Sequence, residues 1–280
     1  MKIYQFETAD LFYHQAQAYL FSDAARHHLL LRICNTLIEH PERYPLQPYL
    51  SIVESQNSII GVAIQTPPYG LVLSKIKDLQ ALELMTKNLS QNQIKLPTVG
   101  GLPIEAKAFV EKWHTLTQQS YHLEMQLRIH CLNQVQSIIQ SNGKLRLATI
   151  KDKPLLLEWC QAFIEEATPN SPENSEHLVD FHLNQNSIYI WQDSTPVSIV
   201  CGSGNITVGG NISLVYTPPQ YRQKGYASSC VAAVTQHLLD RGYPNCYLFT
   251  NLANPTSNHI YHQIGYQPIC DWHHYQFQNY

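Results

Sequence analysis

The stretch from Ser213 to Ala227 constrains this chain more than any other. An apolar strand pattern stops at Pro218 and Pro219 and runs into Arg222-x-x-Gly225-x-Ala227, with a long helical pattern directly after it. Small residues at 225 and 227 let the backbone come close to a ligand, and the first turn of a helix leaves several N–H groups without intrahelical partners. Those donors, with the positive end of the helix dipole, make a site for an anion such as a pyrophosphate. Taken alone, the same residues also fit a tight strand-to-helix turn with ordinary packing.

The segment that follows separates these readings. Residues 245–250 read as a buried strand, and then come Asn254, Ser257, Tyr261, Gly265 and Tyr266 in the spacing N-x-x-S-x-x-x-Y-x-x-x-G-Y. With these two motifs the chain resembles the GNAT superfamily of N-acetyltransferases, whose acyl-CoA half carries a Q/R-x-x-G-x-G/A loop, a strand, and an N-x-x-A-x-x-x-Y-x-x-x-G-F/Y helix. Ser257 stands where that pattern usually has Ala, and Ala227 where it has a second Gly; both are small. The resemblance covers about residues 145–280.

The resemblance implies an α/β (α+β) fold, a central mixed, mostly antiparallel sheet flanked by helices. It also implies direct transfer of an acetyl group from acetyl-CoA, as co-substrate, to a primary amine. The main chain of Leu214, Val215 and Tyr216 would face the cofactor. The turn formed by Arg222, Gln223, Lys224, Gly225, Tyr226 and Ala227 would hold the diphosphate, with Arg222 and Lys224 neutralising charge. Asn254 and Ser257 would border the pantetheine arm, although Asn before Pro is also an ordinary helix N-cap. Tyr261 corresponds to the tyrosine that protonates the departing thiolate, and a phenol of pKa near 10 keeps its proton at neutral pH. In a chain with 17 Tyr, a packing role is the alternative.

The general base is less defined. Glu165 and Glu166 end a helix beside the loop that borders the acceptor cavity in this fold, and either one serves directly or through water. A solvated helix end is the competing reading, and Glu173, Glu176, His177, His182 and His259 are weaker candidates. From a different class, a non-catalytic acyl-CoA-binding sensor or scaffold would keep the cofactor loop without turnover. Tyr261 beside that loop favours the enzyme, since a pure binder needs no proton donor. A nucleotide-phosphate-binding protein of another kind has no G-x-x-x-x-G-K-S/T run to support it.

Composition bounds the rest. A chain of 280 residues with 44% hydrophobic content fills real cores. Its formal net charge of −3 is spread without long runs of one sign, which argues against nucleic acid or anionic membrane as partner. Lys2, Glu7, Asp10 and His14 interrupt the first residues, so no signal-peptide core is expected and a cytoplasmic protein is. The 7 Cys include no C-x-x-C pair and read as reduced, buried thiols. The 14 His lack carboxylate or Cys neighbours at ligand spacing, so no metal is expected.

The organisation reads as two GNAT-like units in tandem, residues 1–137 and 138–280. In the second, 145–150 is a strand, Asp152 caps a helix to about Ala167, 178–183 is a short helix, 187–192 and 196–202 form a hairpin, and 211–216 leads into the anion loop. Residues 266–272 and 274–277 close its sheet. The first is a degenerate echo: helices near 8–20 and 23–38, a hairpin of 49–54 and 59–65, then 71–73. A helix starting at Ser74 follows with no small-residue loop, so the first unit offers a pyrophosphate no place. Strand 98–102 and helix 103–116 match the next strand and helix, and the long strand 121–132 is expected to join the halves.

Overall fold

The computed structural model describes residues 1–278. The chain forms two compact units. Unit 1 takes Met1–Ile129 together with Asn251–Ala253 and the stretch from Ile269 onward, and unit 2 takes His130–Thr250 and Asn254–Pro268. A single boundary near residue 137 therefore does not divide them.

Unit 1 starts with a strand, β1 (Lys2–Phe6), that the sequence pattern did not suggest. Helices α1 (Ala9–Phe21) and α2 (His28–Glu39) follow, then β2 (Tyr49–Ser55), β3 (Ser58–Gln65), β4 (Leu71–Leu73), α3 (Ala81–Gln91), β5 (Thr98–Gly101), α4 (Pro103–Thr117) and β6 (Tyr121–Leu132). Thr8 caps α1 by accepting from Leu11 N. β1 to β4 pair antiparallel in sequence order, and β4 pairs β5 parallel. The last strand of the chain, β12 (Gln267–Phe277), is one continuous strand that lies antiparallel beside β5, His273 opposite Gly101 and Gln276 opposite Thr98. The expectation of two short strands closing the C-terminal sheet is thus corrected. Tyr275 and Phe277 bury into the core of unit 1, with Leu82, Met85, Phe109 and Trp113 from α3 and α4.

Unit 2 repeats the plan. It runs β7 (Lys144–Leu147), α5 (Lys153–Ala167), α6 (Ser175–Asn184), β8 (Ile188–Gln192), β9 (Pro196–Asn205), β10 (Gly209–Tyr216), α7 (Tyr226–Asp240), β11 (Cys246–Asn251) and α8 (Pro255–Ile264). β7 to β10 pair antiparallel in order and β10 pairs β11 parallel. Alternation along β8 divides the side chains between two layers: Tyr189 and Trp191 pack with α7 and α8, Ile188 and Ile190 with α5 and α6. Both units are therefore mixed, mostly antiparallel sheets flanked by helices.

The start of α5 differs from the expected cap. Asp152 makes no side-chain N-cap for α5; it ends a 3-10 turn, Ile150–Asp152, and closes a capping box with Thr149. Its carboxylate takes Arg146 Nη1 at 2.8 Å and Nη2 at 2.7 Å. The Arg146 fork, supported by Thr149, pulls the Asp152 pKa from 3.8 down to about 2.

Two stability outcomes follow. Because the folded pKa is depressed, the Asp152 contribution, about 2 kcal/mol, is present above pH 4 and lost as pH falls toward 2; Asp152→Asn should flatten that acid limb in equilibrium unfolding. At Gly202 of β9, an added Cβ would meet Val234 Cγ1 of α7 at 2.4 Å. Gly202→Ala should cost about 1–3 kcal/mol, seen as a lower denaturation midpoint with unchanged m value.

Candidate functional site

The site begins with an extra residue in β10. Ser213 lies opposite Cys201 and Tyr216 opposite Ile199, so three steps on β10 match two on β9. The bulge is absorbed at Leu214, whose φ is +49°. It also switches faces: Ile212 packs with α7 and α8, whereas Leu214 and Tyr216 pack against α5. The parallel ladder to β11 covers only Gly210 with Cys246 and Asn211 with Tyr247, although β10 runs on to Tyr216 and β11 to Asn251. From Ser213 to Tyr216 the main chain of β10 is therefore released from its β11 neighbour, which is where Leu214, Val215 and Tyr216 were expected to offer backbone groups.

Beyond Tyr216 the chain makes a 3-10 turn, Pro219–Tyr221, and then a loop with two residues in the left-handed region, Gln223 (φ +61°) and Gly225 (φ +77°). Gly225 is the N-cap residue of α7 and supplies no side chain, so no cap bond occupies the helix start. Among the described residues, no backbone N–H from Gln223 to Ser228 donates to a protein acceptor; the first that does is Ser229 N, to Gly225 O at 3.0 Å. Successive free N–H groups in a loop with left-handed residues, at the positive end of a helix, form an anion cradle. Residues 222–225 are exposed.

The matching position of unit 1 is closed. After β4 the chain does not enter the expected helix at Ser74 but crosses to α3 through Lys75–Gln80, with the N–H groups of Ser74 to Lys77 taken by the protein. Ser74 N donates to Val62 O and Lys77 N to Ile60 O. Lys75 N goes to His27 Nε2, and Ile76 N to the buried carboxylate of Glu105 at 3.2 Å. In unit 1 the N–H groups at this position therefore already have protein acceptors.

The charged side chains at the cradle are engaged with the protein. Arg222 Nη2 lies 2.8 Å from both Glu166 oxygens, and its Nε donates to Thr217 O at 2.8 Å. Its guanidinium also stands 5.8 Å from the Tyr216 ring, which is tilted against Trp159 at 6.3 Å. Burial, and after it Glu166, raises the Tyr216 pKa. Lys224 Nζ lies 5.9 Å over the Tyr221 ring. Glu166 is therefore an ion-pair partner of the 222–225 loop, and Glu165 is exposed with Oε1 accepting from Gln161 Nε2 at 2.9 Å. His182, a weaker candidate base, is buried against Ser187 Oγ at 2.7 Å.

On α8, Asn254 caps the helix by accepting from Ser257 N at 3.0 Å, so the ordinary reading of Asn before Pro holds here. Ser257 and Tyr261 follow one turn apart. Tyr261 is 8% exposed, and its ring meets Tyr266 edge-on at 6.0 Å. Tyr266 hydrogen-bonds Thr235 of α7 at 2.8 Å. The Tyr261 hydroxyl is in no hydrogen bond among the described residues, and burial raises its pKa, so the phenol is protonated at any physiological pH.

Sequence reading missed two sets of contacts. Residues 133–143 pass close to α8 and α7: Gln136 N donates to Ile264 O, and Ser141 N and Oγ reach the buried Ser229 Oγ at 2.8 and 2.9 Å. Tyr226 Oη donates to Asp193 Oδ2 at 2.8 Å, tying the α7 start to the β8–β9 turn. Serines three and four places past a glycine loop carry no local signal of this. All Cys are free thiols, and among the described residues no group of three His, Cys, Asp or Glu is arranged to hold a metal. No described helix is long and apolar enough to cross a membrane.

Residues 203–276 match the model of the FR47-like protein family, a span that contains both motifs. No curated protein matches the chain. Among solved structures, a Drosophila protein is 11% identical with a TM-score of 0.73, covering 99% of this chain and 98% of its own. An acetyltransferase of the GNAT family from Colwellia psychrerythraea is 12% identical, covers 99% of this chain and 100% of its own, and has a TM-score of 0.59. A tandem GNAT protein from the clavulanic acid biosynthesis pathway is 8% identical over 81% of this chain and 82% of its own, at 0.51. The chain has the GNAT fold, and the resemblance read from 222–266 is met.

Gly225 is open, with only Ser141 Cβ at 3.8 Å from an added Cβ, but its φ disfavours any side chain. Gly225→Glu sets a carboxylate among the free N–H groups. Calorimetry should then show CoA binding, one site per chain in the unsubstituted protein, weakened at least about a hundredfold.

Proposed function

We propose that a chain with this fold and this cradle is an acyltransferase that moves an acetyl group from acetyl-CoA to a primary amine by direct transfer, using unit 2 alone. The observation that carries the reading is the run of free N–H groups from Gln223 to Ser228 beside the released end of β10. Acetyl-CoA supplies the acyl group as an activated thioester. The diphosphate fits the cradle, and the pantetheine amides fit the side of Ser213 to Tyr216 released from β11.

In this scheme the β10 backbone orients the thioester carbonyl, and N–H donation to its oxygen favours the charge that grows as the amine attacks. The new C–N bond forms as the C–S bond breaks. Tyr261 gives its phenolic proton to the departing sulfur, and the nitrogen loses a proton to water. Arg222 acts as a positioning residue: held by Glu166 and Thr217 O, it fixes the entry to the cradle and leaves the backbone donors to contact the phosphates.

A second reading, a non-catalytic acyl-CoA sensor, is favoured by one observation: both candidate bases already have protein partners, Glu165 with Gln161 and Glu166 with Arg222. Turnover with amines in the presence of acetyl-CoA decides between them, since a sensor binds without releasing thiol.

Tyr261→Phe keeps the ring against Tyr266 and removes the hydroxyl. Acetyl-CoA affinity should hold while kcat falls by about tenfold to a thousandfold, measured as thiol release. Unchanged kcat would return Tyr261 to a packing role.

A further inference from the structure

Unit 1 contains a positive charge with no counter-charge among the described residues. Arg32, on α2, is part-buried, and its Nε is sealed from solvent without a hydrogen-bond partner. Its guanidinium makes no ion pair or hydrogen bond among the described residues. Burial pulls its pKa down; the nearby Tyr44 hydroxyl opposes this, the Arg43 charge adds to it, and no carboxylate acts on it. Arg43 itself is spread over two aromatic rings, 5.5 Å from the centroid of Tyr44 and 5.8 Å from that of Tyr69, which meet edge to face at 5.9 Å.

A guanidinium whose Nε is shut off from water without a partner is costly, and an anion reaching the two Nη groups that remain open to solvent relieves that cost. The arrangement has parts suited to one. A planar fork binds carboxylate or phosphate oxygens two at a time. The tyrosine rings stabilise the neighbouring cation through their faces and form an apolar wall. Neither the closed position after β4 nor the cradle of unit 2 uses any of these residues.

We propose that Arg32, flanked by Arg43, Tyr44 and Tyr69, forms a binding site in unit 1 for a small oxyanion, a carboxylate or a phosphate group, separate from the acyl-CoA cradle. The site lies on α2 and the two turns formed by residues 41–44 and 66–70, so it is complete within unit 1. It does not depend on the acyltransferase reading, because its occupant is recognised by the Arg32 fork and not by Gln223 to Ser228.

The test is thermal unfolding of the full chain at constant ionic strength, with sodium acetate and inorganic phosphate titrated separately against chloride. The unsubstituted protein and Gly225→Glu should both gain about 3 °C at about tenfold the anion's Kd, with the larger gain at equal concentration telling carboxylate from phosphate. Arg32→Met should melt no lower than the unsubstituted protein in chloride, since it removes an uncompensated charge, and should lose the anion response. Should Arg32→Met fail to fold, Arg32→Lys keeps the charge without the fork and should show a clearly reduced response. An unsubstituted protein that ignores both anions overturns the proposal. So does a response kept in full by the Arg32 variants, or one abolished by Gly225→Glu, which would assign it to the cradle. Calorimetry of CoA on the same variants reads the other site independently.

Discussion

One extra residue in β10 organises the candidate site of unit 2. Without the bulge at Leu214, residues 212, 214 and 216 would share a face and the strand would continue its ladder. With it, Leu214 and Tyr216 turn to α5, and the backbone of Ser213 to Tyr216 is left beside a strand it no longer pairs with. Holding a leucine at positive φ costs about 1–3 kcal/mol, offset by its burial between β10 and α5. The conformation persists because the surrounding core fixes it, as expected of a backbone shaped to meet a ligand.

The difference between the two units is written in hydrogen bonds more than in topology. Each has antiparallel strands ending in one parallel pair. In unit 2 the turn after that pair leaves N–H groups unsatisfied and exposed; in unit 1 Val62, Ile60, His27 and Glu105 take them. Tyr19 strengthens the closure by donating to Lys75 O. Restoring a cradle to unit 1 would require undoing several buried bonds at once.

Local pattern was enough for the strand-to-helix turn at 222–225, the helix Pro255–Ile264 and the long strand Tyr121–Leu132, because caps, glycines and apolar periodicity act within a few residues. It failed where the partner is remote. Nothing within 267–277 says that this strand belongs beside β5 in unit 1, since alternation specifies a face and not a neighbour. A cut near residue 140 would strip β12 of that partner. The segment after Leu73 has helical periodicity, yet its N–H groups are claimed by β3 and by Glu105. The fork between Arg222 and Glu166 joins residues far apart in sequence, and it pairs a candidate base with the 222–225 loop.

The central claim is that acyl-CoA is held by the backbone of the α7 start and by nothing equivalent in unit 1. Amide hydrogen exchange of the full chain, with and without CoA, measures this directly. The account predicts strong protection confined to peptides covering 213–216 and 223–228, with those covering 74–82 unchanged. Protection appearing at 74–82, or absent from 223–228 at saturating CoA, would contradict it.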